Sequence, residues 1–353
     1  MKKIGIFCVG TGGHVLPAKN LITQLNDEGI DLDKFIIITD ERGSQYLKNL
    51  DIKIYILDIY RSKIGLFGYV LNIYRVMKTL LEIRTIIKKE EIKISLSTGS
   101  YIAPIASLLS FTFRIKYYGQ EQNIYAGLGN KVTSFLPGVI FTSYPETKNI
   151  KKKKTIYVGP IINKDIVKIN KTNNAEFLTI GVQGGSQGSE QINSYLYKFL
   201  NENNTIKVNF LHITGKDKLD NNLNFKNYSQ FDFIENMSEY YEKINLQISR
   251  SGGGALEAAY LGIPQVLIPF KHGTTSSHQH LNAQYLENLG AAIVVNSYTE
   301  FENILLKIIN NHEVKIREIF NKVNIQIGNH EIIRYLKEAL NEKIVDVLKQ
   351  FKL

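Results

Sequence analysis

The chain has 353 residues, long enough to build two cores of ordinary domain size, so we expect two domains. Hydrophobic residues make up 44% of it and charged residues 22%, a balance that is typical of globular proteins and excludes a largely disordered chain. The formal net charge of +10 at pH 7 favours an anionic partner, but charge alone does not choose among nucleic acid, a membrane surface and a phosphorylated substrate.

The amino-terminal segment lacks the long apolar run and the small-residue cleavage site of a signal peptide. The longest apolar stretch, residues 101–113, is shorter than the roughly 20 residues that span a bilayer. The single cysteine, Cys8, cannot form an internal disulfide, and its place in an apolar run predicts a small buried side chain in a reducing compartment. We therefore expect a protein that is neither exported nor threaded through a membrane.

Short β-branched runs alternate with amphipathic segments of helical periodicity through the first half of the chain. This alternation predicts a parallel sheet with helices on both faces. The predicted strands are 3–8, 35–38, 54–56, 94–97, 115–118 and 139–141, and the predicted helices are 17–27, 70–89 and 102–110.

A second series of the same kind follows a lysine run at residues 151–154. Its predicted strands are 177–182, 207–213, 231–234, 246–248, 265–268 and 293–295. Two such halves predict an α/β protein of two doubly wound, Rossmann-like domains that face each other across a cleft. The predicted domains are residues 1–158 and 159–330, followed by a helical tail at 331–353 that could pack back on the first domain.

Glycine-rich clusters follow predicted strands in both halves, at residues 10–14, 98–101, 183–188 and 250–254. Glycine lets the backbone turn tightly and approach a ligand, and the N–H groups at the start of the next helix favour an anion. The first cluster lacks the third glycine of a dinucleotide fingerprint and the lysine of a phosphate loop. The pattern therefore favours a phosphate-bearing ligand but argues against a dinucleotide-dependent oxidoreductase.

Over nearly its whole length, the chain resembles the GT-B glycosyltransferases of family 28 that add N-acetylglucosamine to the lipid-linked muramyl-pentapeptide precursor of peptidoglycan. The matching stretches are 10–14, 121–123, 126–128, 130–131, 184–188, 233–234 with Met237, 249–252, Glu257, 262–264, 269–270, 278–279, 282–283 and 290–292. The resemblance implies an inverting, metal-independent transferase without a cofactor, peripheral to the cytoplasmic face of the cell membrane. It also implies UDP-N-acetylglucosamine as donor and a polyprenyl-diphosphate-linked muramyl-peptide as acceptor.

The resemblance assigns the donor site residue by residue. Glu257 would hold the ribose, Ile234 would pack by the uracil, and Arg250 with the amides around Gln187 would neutralise the diphosphate. The predicted UDP-sugar-binding residues are Thr11, Gly12, Gly13, His14, Asn123, Ser186, Gln187, Gly188, Ile234, Arg250, Gly253, Glu257, His278 and Gln279.

Each of these assignments has a plainer alternative. Glu257 could simply complement a helix dipole, Arg250 could form a surface salt bridge, and Ile234 could be a core residue. Gln279 and Asn123 offer amides suited to sugar hydroxyls, but amides in loops also form turns.

His14 is the candidate catalytic residue. Inverting sugar transfer needs a base that takes the proton from the attacking acceptor hydroxyl, and an imidazole is suited to that role. The alternative is a histidine that caps the following helix. The predicted acceptor-binding residues lie in the first two glycine clusters: Gly12, Gly13, Thr98, Gly99, Ser100 and Tyr101.

A segment near residue 65 combines bulky apolar and cationic side chains, as a patch that binds an anionic membrane surface does. The alternative is a solvated helix with one core-facing side. The predicted patch residues are Arg61, Lys63, Ile64, Leu66, Phe67 and Arg75.

The match to the family departs from its usual pattern at several places. Val9 and Ser100 stand where the family has glycine, and Gln120 stands where it has histidine. The family's interdomain arginine has no clear counterpart, and the interval from Arg250 to Glu257 is one residue shorter than usual.

Three other functions remain open at this stage. A diacylglycerol glucosyltransferase has the same fold and acts on another lipid, while a sugar-nucleotide 2-epimerase needs no lipid at all. A basic nucleic-acid-binding protein would explain the charge, but the lysines are scattered and no recognition module is present, so we expect no nucleic-acid partner.

Overall fold

The computed structural model describes residues 2–58, 66–171, 178–220, 225–270, 276–310 and 320–341. The chain divides into two compact units, Met1–Ile161 together with Ile327–Leu353, and Ile162–Gln326. The divisions that the sequence predicts, at residues 158 and 330, lie within a few residues of these.

Within the described residues the first unit forms a seven-stranded parallel sheet in the order β3-β2-β1-β4-β5-β6-β7. The strands are β1 (Lys3–Phe7), β2 (Phe35–Thr39), β3 (Lys53–Ile56), β4 (Ile92–Ser97), β5 (Lys116–Glu121), β6 (Val139–Thr142) and β7 (Thr155–Tyr157). The helices between them are α1 (Gly12–Asp27), α2 (Glu41–Ser44), α3 (Leu66–Lys89), α4 (Ala103–Thr112) and α5 (Leu128–Thr133).

Alternate residues of β1 enter two separate cores, one on each face of the sheet. Ile4 and Ile6 pack in the core that includes Leu21 of α1, whereas Phe7 packs in the core that includes Ile83 of α3 and Ile105 of α4. Because successive side chains of a strand point to opposite faces, an apolar run buries both sides of the sheet. This confirms the predicted doubly wound arrangement.

Within the described residues the second unit forms a six-stranded parallel sheet in the order β10-β9-β8-β11-β12-β13. The strands are β8 (Thr179–Gln183), β9 (Asn209–Ile213), β10 (Tyr228–Phe231), β11 (Leu246–Ser249), β12 (Gln265–Leu267) and β13 (Ala292–Val294). The helices are α6 (Lys164–Val167), α7 (Glu190–Glu202), α8 (Met237–Lys243), α9 (Gly253–Tyr260), α10 (Ser276–Asn288) and α11 (Tyr298–Asn310).

The described part of the tail is a helix, α12 (Asn329–Asn341), that belongs to the first unit. Its Ile332 and Leu336 are buried in the same core as α1, and the Asn329 Nδ2 atom donates to Gln24 Oε1 at 2.9 Å. The carboxyl-terminal helix α12 therefore packs in the same core as the amino-terminal strand β1.

The bounds of several predicted elements differ from those in the structure, and one strand was not predicted. The helix expected to begin at Pro17 begins at Gly12, because the amides of His14 and Val15 bond to the Thr11 carbonyl and so form a first turn. The strand predicted at 231–234 ends at Phe231. The short strand β7 escaped prediction because its half-exposed side chains carry little apolar signal.

In the described parts of the chain, no helix has both the length and the apolar character that crossing a bilayer requires.

Candidate functional site

Each sheet has a switch point, where its first strand lies between strands that continue in opposite directions. In the first sheet this lies between β1 and β4, which pair with Phe7 opposite Ser97. In the second it lies between β8 and β11, which pair with Gln183 opposite Ser249. The carboxyl ends of such strands form the ligand crevice of open α/β sheets, and all four glycine clusters follow them.

Asp40, which follows β2, ties together the loops at the first switch point. Its Oδ1 atom accepts from the amides of Gly10 at 2.8 Å and Gly43 at 2.9 Å, and its Oδ2 atom accepts from the Tyr101 hydroxyl at 3.1 Å. Burial alone would raise the pKa of Asp40, but these amides and Arg42 outweigh burial and lower it. The sequence did not predict a role for Asp40, because its hydrogen-bond partners Gly10 and Tyr101 are distant along the chain.

His14 lies in the first turn of α1 and spans the switch point. Its Nδ1 atom lies 2.8 Å from the backbone oxygen of Thr98, so it does not cap its own helix. A carbonyl oxygen only accepts, so Nδ1 carries the proton and the neutral ring keeps its lone pair on Nε2. Gly99 follows Thr98 with φ of +96°, a conformation that favours glycine.

The loop after β4 holds Ser100 in the left-handed region, with φ of +65°. An L-residue adopts this conformation at a cost that glycine avoids. The Ser100 carbonyl is packed against α5 so closely that a Cβ atom on Gly129 would lie 2.1 Å from its oxygen.

Glu121 is buried and shapes the loop that carries Asn123. Its Oε1 atom accepts from the Asn123 amide at 2.9 Å, and its Oε2 atom accepts from Gly127 N at 3.0 Å and Asn130 Nδ2 at 2.9 Å. The carboxylate is thus occupied within the protein. Asn123 is half-buried, and its Nδ2 atom also donates to Glu121 Oε1 at 3.2 Å, so the carboxylate fixes the position of this side chain.

In the second unit, the loop after β8 wraps the start of α7. Gly188 has φ of +66°, and a Cβ atom there would lie 2.2 Å from the Thr214 backbone oxygen. Glycine is therefore required by both conformation and space. The loop places Ser186 and Gln187 immediately before α7, where Ser189 is the N-cap residue and accepts from Ile192 N at 3.3 Å.

Arg250 follows β11 and donates to the same helix start. Its guanidinium donates to Ser189 Oγ at 2.7 Å, Gln191 Oε1 at 2.9 Å and the Ile268 carbonyl at 2.7 Å, and it stacks 5.2 Å from the Phe270 ring centroid. Among the described residues, no carboxylate pairs with it. The alternative of a surface salt bridge therefore finds no partner among the described residues, and burial lowers the pKa of this arginine.

Positive charge is concentrated at the start of α7. The first N–H groups of the helix carry a partial positive charge, and Arg250 adds a full charge beside them. Glu190 in the first turn of α7 supplies one negative side chain, and an anionic ligand would compensate the charge of the partly buried arginine directly.

Glu257 lies in α9 and is half-buried. Its Oε2 atom accepts from the Tyr241 hydroxyl at 2.8 Å, and burial raises the pKa of the carboxyl group. Tyr241 in turn accepts from Gln183 Nε2 at 3.3 Å. The sequence predicted Glu257 as a site residue but gave no role to Tyr241, and it included Gln183 only as the first residue of a glycine-rich cluster.

The remaining predicted donor residues lie around these two. Ile234 is half-buried in the segment between β10 and α8, so it is neither at a strand end nor a core residue. Gly253 begins α9 with open space around it. Gln279 is anchored in α10, with its Oε1 atom accepting from Phe270 N at 3.0 Å, and His278 precedes it in the same helix.

Most of the predicted membrane patch lies outside the residues that the structure describes. Arg61, Lys63 and Ile64 lie outside the described residues, and Leu66 and Phe67 begin α3 with side chains that are likewise outside it. Arg75 is half-buried in α3.

Comparison with known proteins places both units in one family. Residues 4–142 match the glycosyltransferase family 28 N-terminal domain, and residues 179–331 match the glycosyltransferase family 28 C-terminal domain. A protein of Sulfurihydrogenibium sp. (strain YO3AOP1) is 28% identical over 100% of this chain and 99% of its own. It is named UDP-N-acetylglucosamine–N-acetylmuramyl-(pentapeptide) pyrophosphoryl-undecaprenol N-acetylglucosamine transferase.

A protein of the same name from Lawsonia intracellularis (strain PHE/MN1-00) is 32% identical over 83% of this chain and 84% of its own. The chain belongs to glycosyltransferase family 28.

The fold of this family 28 chain is that of its solved relatives. The crystal structure of MurG from Acinetobacter baumannii matches with a TM-score of 0.73 at 22% identity, covering 96% of this chain and all of that one. This likeness confirms the predicted GT-B fold of two doubly wound parallel-sheet domains.

Proposed function

We propose that this family 28 chain transfers N-acetylglucosamine from UDP-N-acetylglucosamine to undecaprenyl-diphospho-N-acetylmuramoyl-pentapeptide, converting lipid I to lipid II in peptidoglycan synthesis. The observation that carries the proposal is Arg250, a partly buried cation at the start of α7 whose described partners are all uncharged. It is supported by family membership, because the relatives' name specifies this donor and this acceptor.

The donor diphosphate would bind at Arg250 and at the turn of Ser186, Gln187 and Gly188, whose shape is fixed by the hydrogen bond from the Gly188 amide to the Gly185 carbonyl at 2.9 Å. As the sugar leaves, negative charge develops on the diphosphate oxygens, and fixed N–H donors stabilise that charge without reorganising. This donor set would make a metal ion unnecessary for the leaving group.

The nucleoside and sugar parts of the donor would bind other residues. The Oε1 atom of Glu257 would accept from ribose hydroxyls, and Ile234 would cover the uracil. Gln279 has its oxygen occupied by Phe270 N, which leaves its amide hydrogens to donate to sugar hydroxyls. Asn123, His278, Gly253 and Thr11 would complete the predicted set.

His14 would act as the base. The acceptor hydroxyl oxygen attacks the anomeric carbon, the bond from that carbon to the diphosphate oxygen breaks, and UDP leaves with the electron pair. The hydroxyl proton goes to His14 Nε2, whose lone pair is free because Nδ1 donates to Thr98.

The acceptor diphosphate would bind on the first unit, at the start of α1 and the loop after β4. Gly12 and Gly13 open α1, and Gly99 and Ser100 turn the neighbouring loop beside them. Tyr101 is fixed by Asp40 and Thr98 by His14, so the loop would meet the ligand in a preset shape.

The first unit would bind the cytoplasmic face of an anionic membrane peripherally. Helix α4 contacts both α3 and α5, and the three expose large apolar side chains. These are Tyr74, Val76, Met77 and Leu81 on α3, Leu108 and Phe111 on α4, and Leu128, Val132 and Phe135 on or beside α5. Lys151 lies 4.1 Å from the Phe135 ring centroid, placing a cation at the edge of this apolar surface, as lipid headgroups require.

The deciding experiment is transfer of radiolabelled sugar from UDP-N-acetylglucosamine to purified lipid acceptors in detergent. We expect label on the muramyl-pentapeptide lipid, none on diacylglycerol, and unchanged transfer in EDTA. Label on diacylglycerol alone, or epimerised donor without any lipid, would contradict the proposal.

A further inference from the structure

Tyr241 of α8 is fully buried and donates its hydroxyl proton toward Glu257 Oε2, 2.8 Å away. The Gly254 carbonyl lies farther from the same hydroxyl, at 3.2 Å. A hydroxyl has one proton, and a carboxylate is the stronger acceptor at the shorter distance. The bond to Glu257 is therefore the principal one.

The position of this hydroxyl is fixed by buried amides on two neighbouring strands. Gln183 at the end of β8 donates to it at 3.3 Å and also to Gln247 Oε1 of β11 at 2.8 Å. Gln247 donates to the Gly254 carbonyl in α9 at 3.1 Å. Tyr241, Gln183 and Gln247 thus hold the start of α9 and one oxygen of its carboxylate in a fixed relation to the sheet.

Burial does not require this bond, as the preceding residue shows. Tyr240 is equally buried, yet among the described residues its hydroxyl has no hydrogen-bond partner. Both tyrosines fill the core, but only Tyr241 reaches a charged group.

The bond acts on one half of the carboxylate. Oε2 is occupied by Tyr241, whereas no described residue donates to Oε1. Because the side chain is half-buried, Oε1 remains accessible to a ligand. Burial raises the pKa of Glu257, and the Tyr241 hydrogen bond acts in the opposite direction.

We propose that Tyr241 is a positioning residue for donor binding: it fixes Glu257 Oε2 so that Oε1 is aimed at the ribose hydroxyls of the nucleotide. This inference rests on the proposed donor site. It makes Tyr241 act through Glu257 and never through the diphosphate.

The test is calorimetric binding of UDP and of 2′,3′-dideoxy-UDP, which lacks both ribose hydroxyls. Tyr241→Phe should weaken UDP about tenfold, the effect of losing a hydrogen bond to a charged group, and should change dideoxy-UDP less than about twofold. Tyr240→Phe is the matched control and should change neither. Equal weakening of both nucleotides by Tyr241→Phe, or no weakening of either, would overturn the inference.

A double-mutant cycle with Glu257→Ala supplies a second measurement. In the Glu257→Ala background, Tyr241→Phe should cause no further loss of UDP affinity; an undiminished loss would show that Tyr241 acts elsewhere. If Glu257→Ala weakens UDP and dideoxy-UDP equally, the ribose assignment fails and this inference with it. The proposed transfer reaction is judged separately, by wild-type turnover on the lipid acceptor.

Discussion

The imidazole Nδ1 atom of His14 and the backbone oxygen of Thr98 lie 2.8 Å apart, joining the first helix to the loop after β4. This contact gives the ring a defined tautomer, with the proton on Nδ1 and the lone pair on Nε2. It also gives the ring a fixed orientation, as hydrogen-bonded histidines in catalytic sites have.

Replacing His14 should therefore affect chemistry more than donor binding. We expect His14→Ala to lower kcat by about 10²- to 10⁴-fold, the range typical of general base catalysis, with UDP affinity within about threefold of wild type. His330→Ala, at an exposed histidine of α12, is the control and should leave both unchanged. Near-normal turnover of His14→Ala would remove the base role.

Arg250 should contribute to the binding of the diphosphate and not of the nucleoside. We expect Arg250→Gln to weaken UDP by about tenfold or more while uridine affinity stays constant, because only UDP carries the compensating charge. Titration calorimetry with both ligands measures this. Arg334→Gln, at an arginine already paired with Glu331 and Glu338, should behave as wild type. Equal losses for UDP and uridine would indicate a general structural defect.

Two glycines near the donor site should respond differently to alanine. Gly188→Ala combines positive φ with a backbone oxygen 2.2 Å from the new Cβ, so we expect a loss of at least about 2 kcal/mol in unfolding free energy. Gly253→Ala meets open space and should change stability by less than about 0.5 kcal/mol. Urea unfolding compares them. A large loss for Gly253→Ala, or none for Gly188→Ala, would contradict the described loop geometry.

Glu90 should make stability depend on pH. Burial alone would raise its pKa, but hydrogen bonds from Lys53, Tyr55 and Lys3 outweigh burial and lower the pKa to about 2. The folded pKa lies below the unfolded value near 4.5, so the contribution is fully present above that value and is lost as pH falls toward about 2.

We therefore expect Glu90→Gln to lower the urea midpoint at pH 6 and to lower it much less at pH 3. Glu91→Gln, at the exposed neighbouring carboxylate, should have little effect at either pH. A Glu90→Gln effect that is the same at both pH values would mean that the ionised form has no special role.

Membrane binding should depend on both charge and apolar contact. We expect the chain to sediment with phosphatidylglycerol vesicles and to dissociate as salt rises, because headgroup attraction is screened. Leu128→Glu with Phe135→Glu should lower binding, as should Leu66→Glu with Phe67→Glu. Leu219→Glu, at an exposed leucine of the second unit, is the control. Binding that ignores lipid charge and both double variants would refute the membrane surface.

Local sequence patterns were sufficient for the architecture. Alternation of β-branched runs with amphipathic segments depends on neighbours within a few residues, so the strands of both sheets could be located from it. The pattern did not predict β7, where the apolar signal is weak. It also placed the start of the first helix at Pro17, whereas backbone hydrogen bonds to the Thr11 carbonyl start this helix at Gly12.

The residue types of the site could also be predicted, because the glycine clusters and Arg250 follow strands, and His14 and Glu257 lie in the helices that come next. The hydrogen-bond partners of the site residues could not be predicted. Asp40 bonds to Gly10 and Tyr101, and Tyr241 bonds to Glu257, across intervals that no periodicity covers.

The sequence by itself thus determined two parallel-sheet units, the strand ends that carry the glycine loops, and the charged side chains placed there. Only the tertiary structure decided which of those side chains are occupied within the protein, as Glu121 is, and which keep an atom for a ligand, as Glu257 does. The physical reason is that strand order and register set the hydrogen-bond partners, because they bring together segments that lie far apart along the chain.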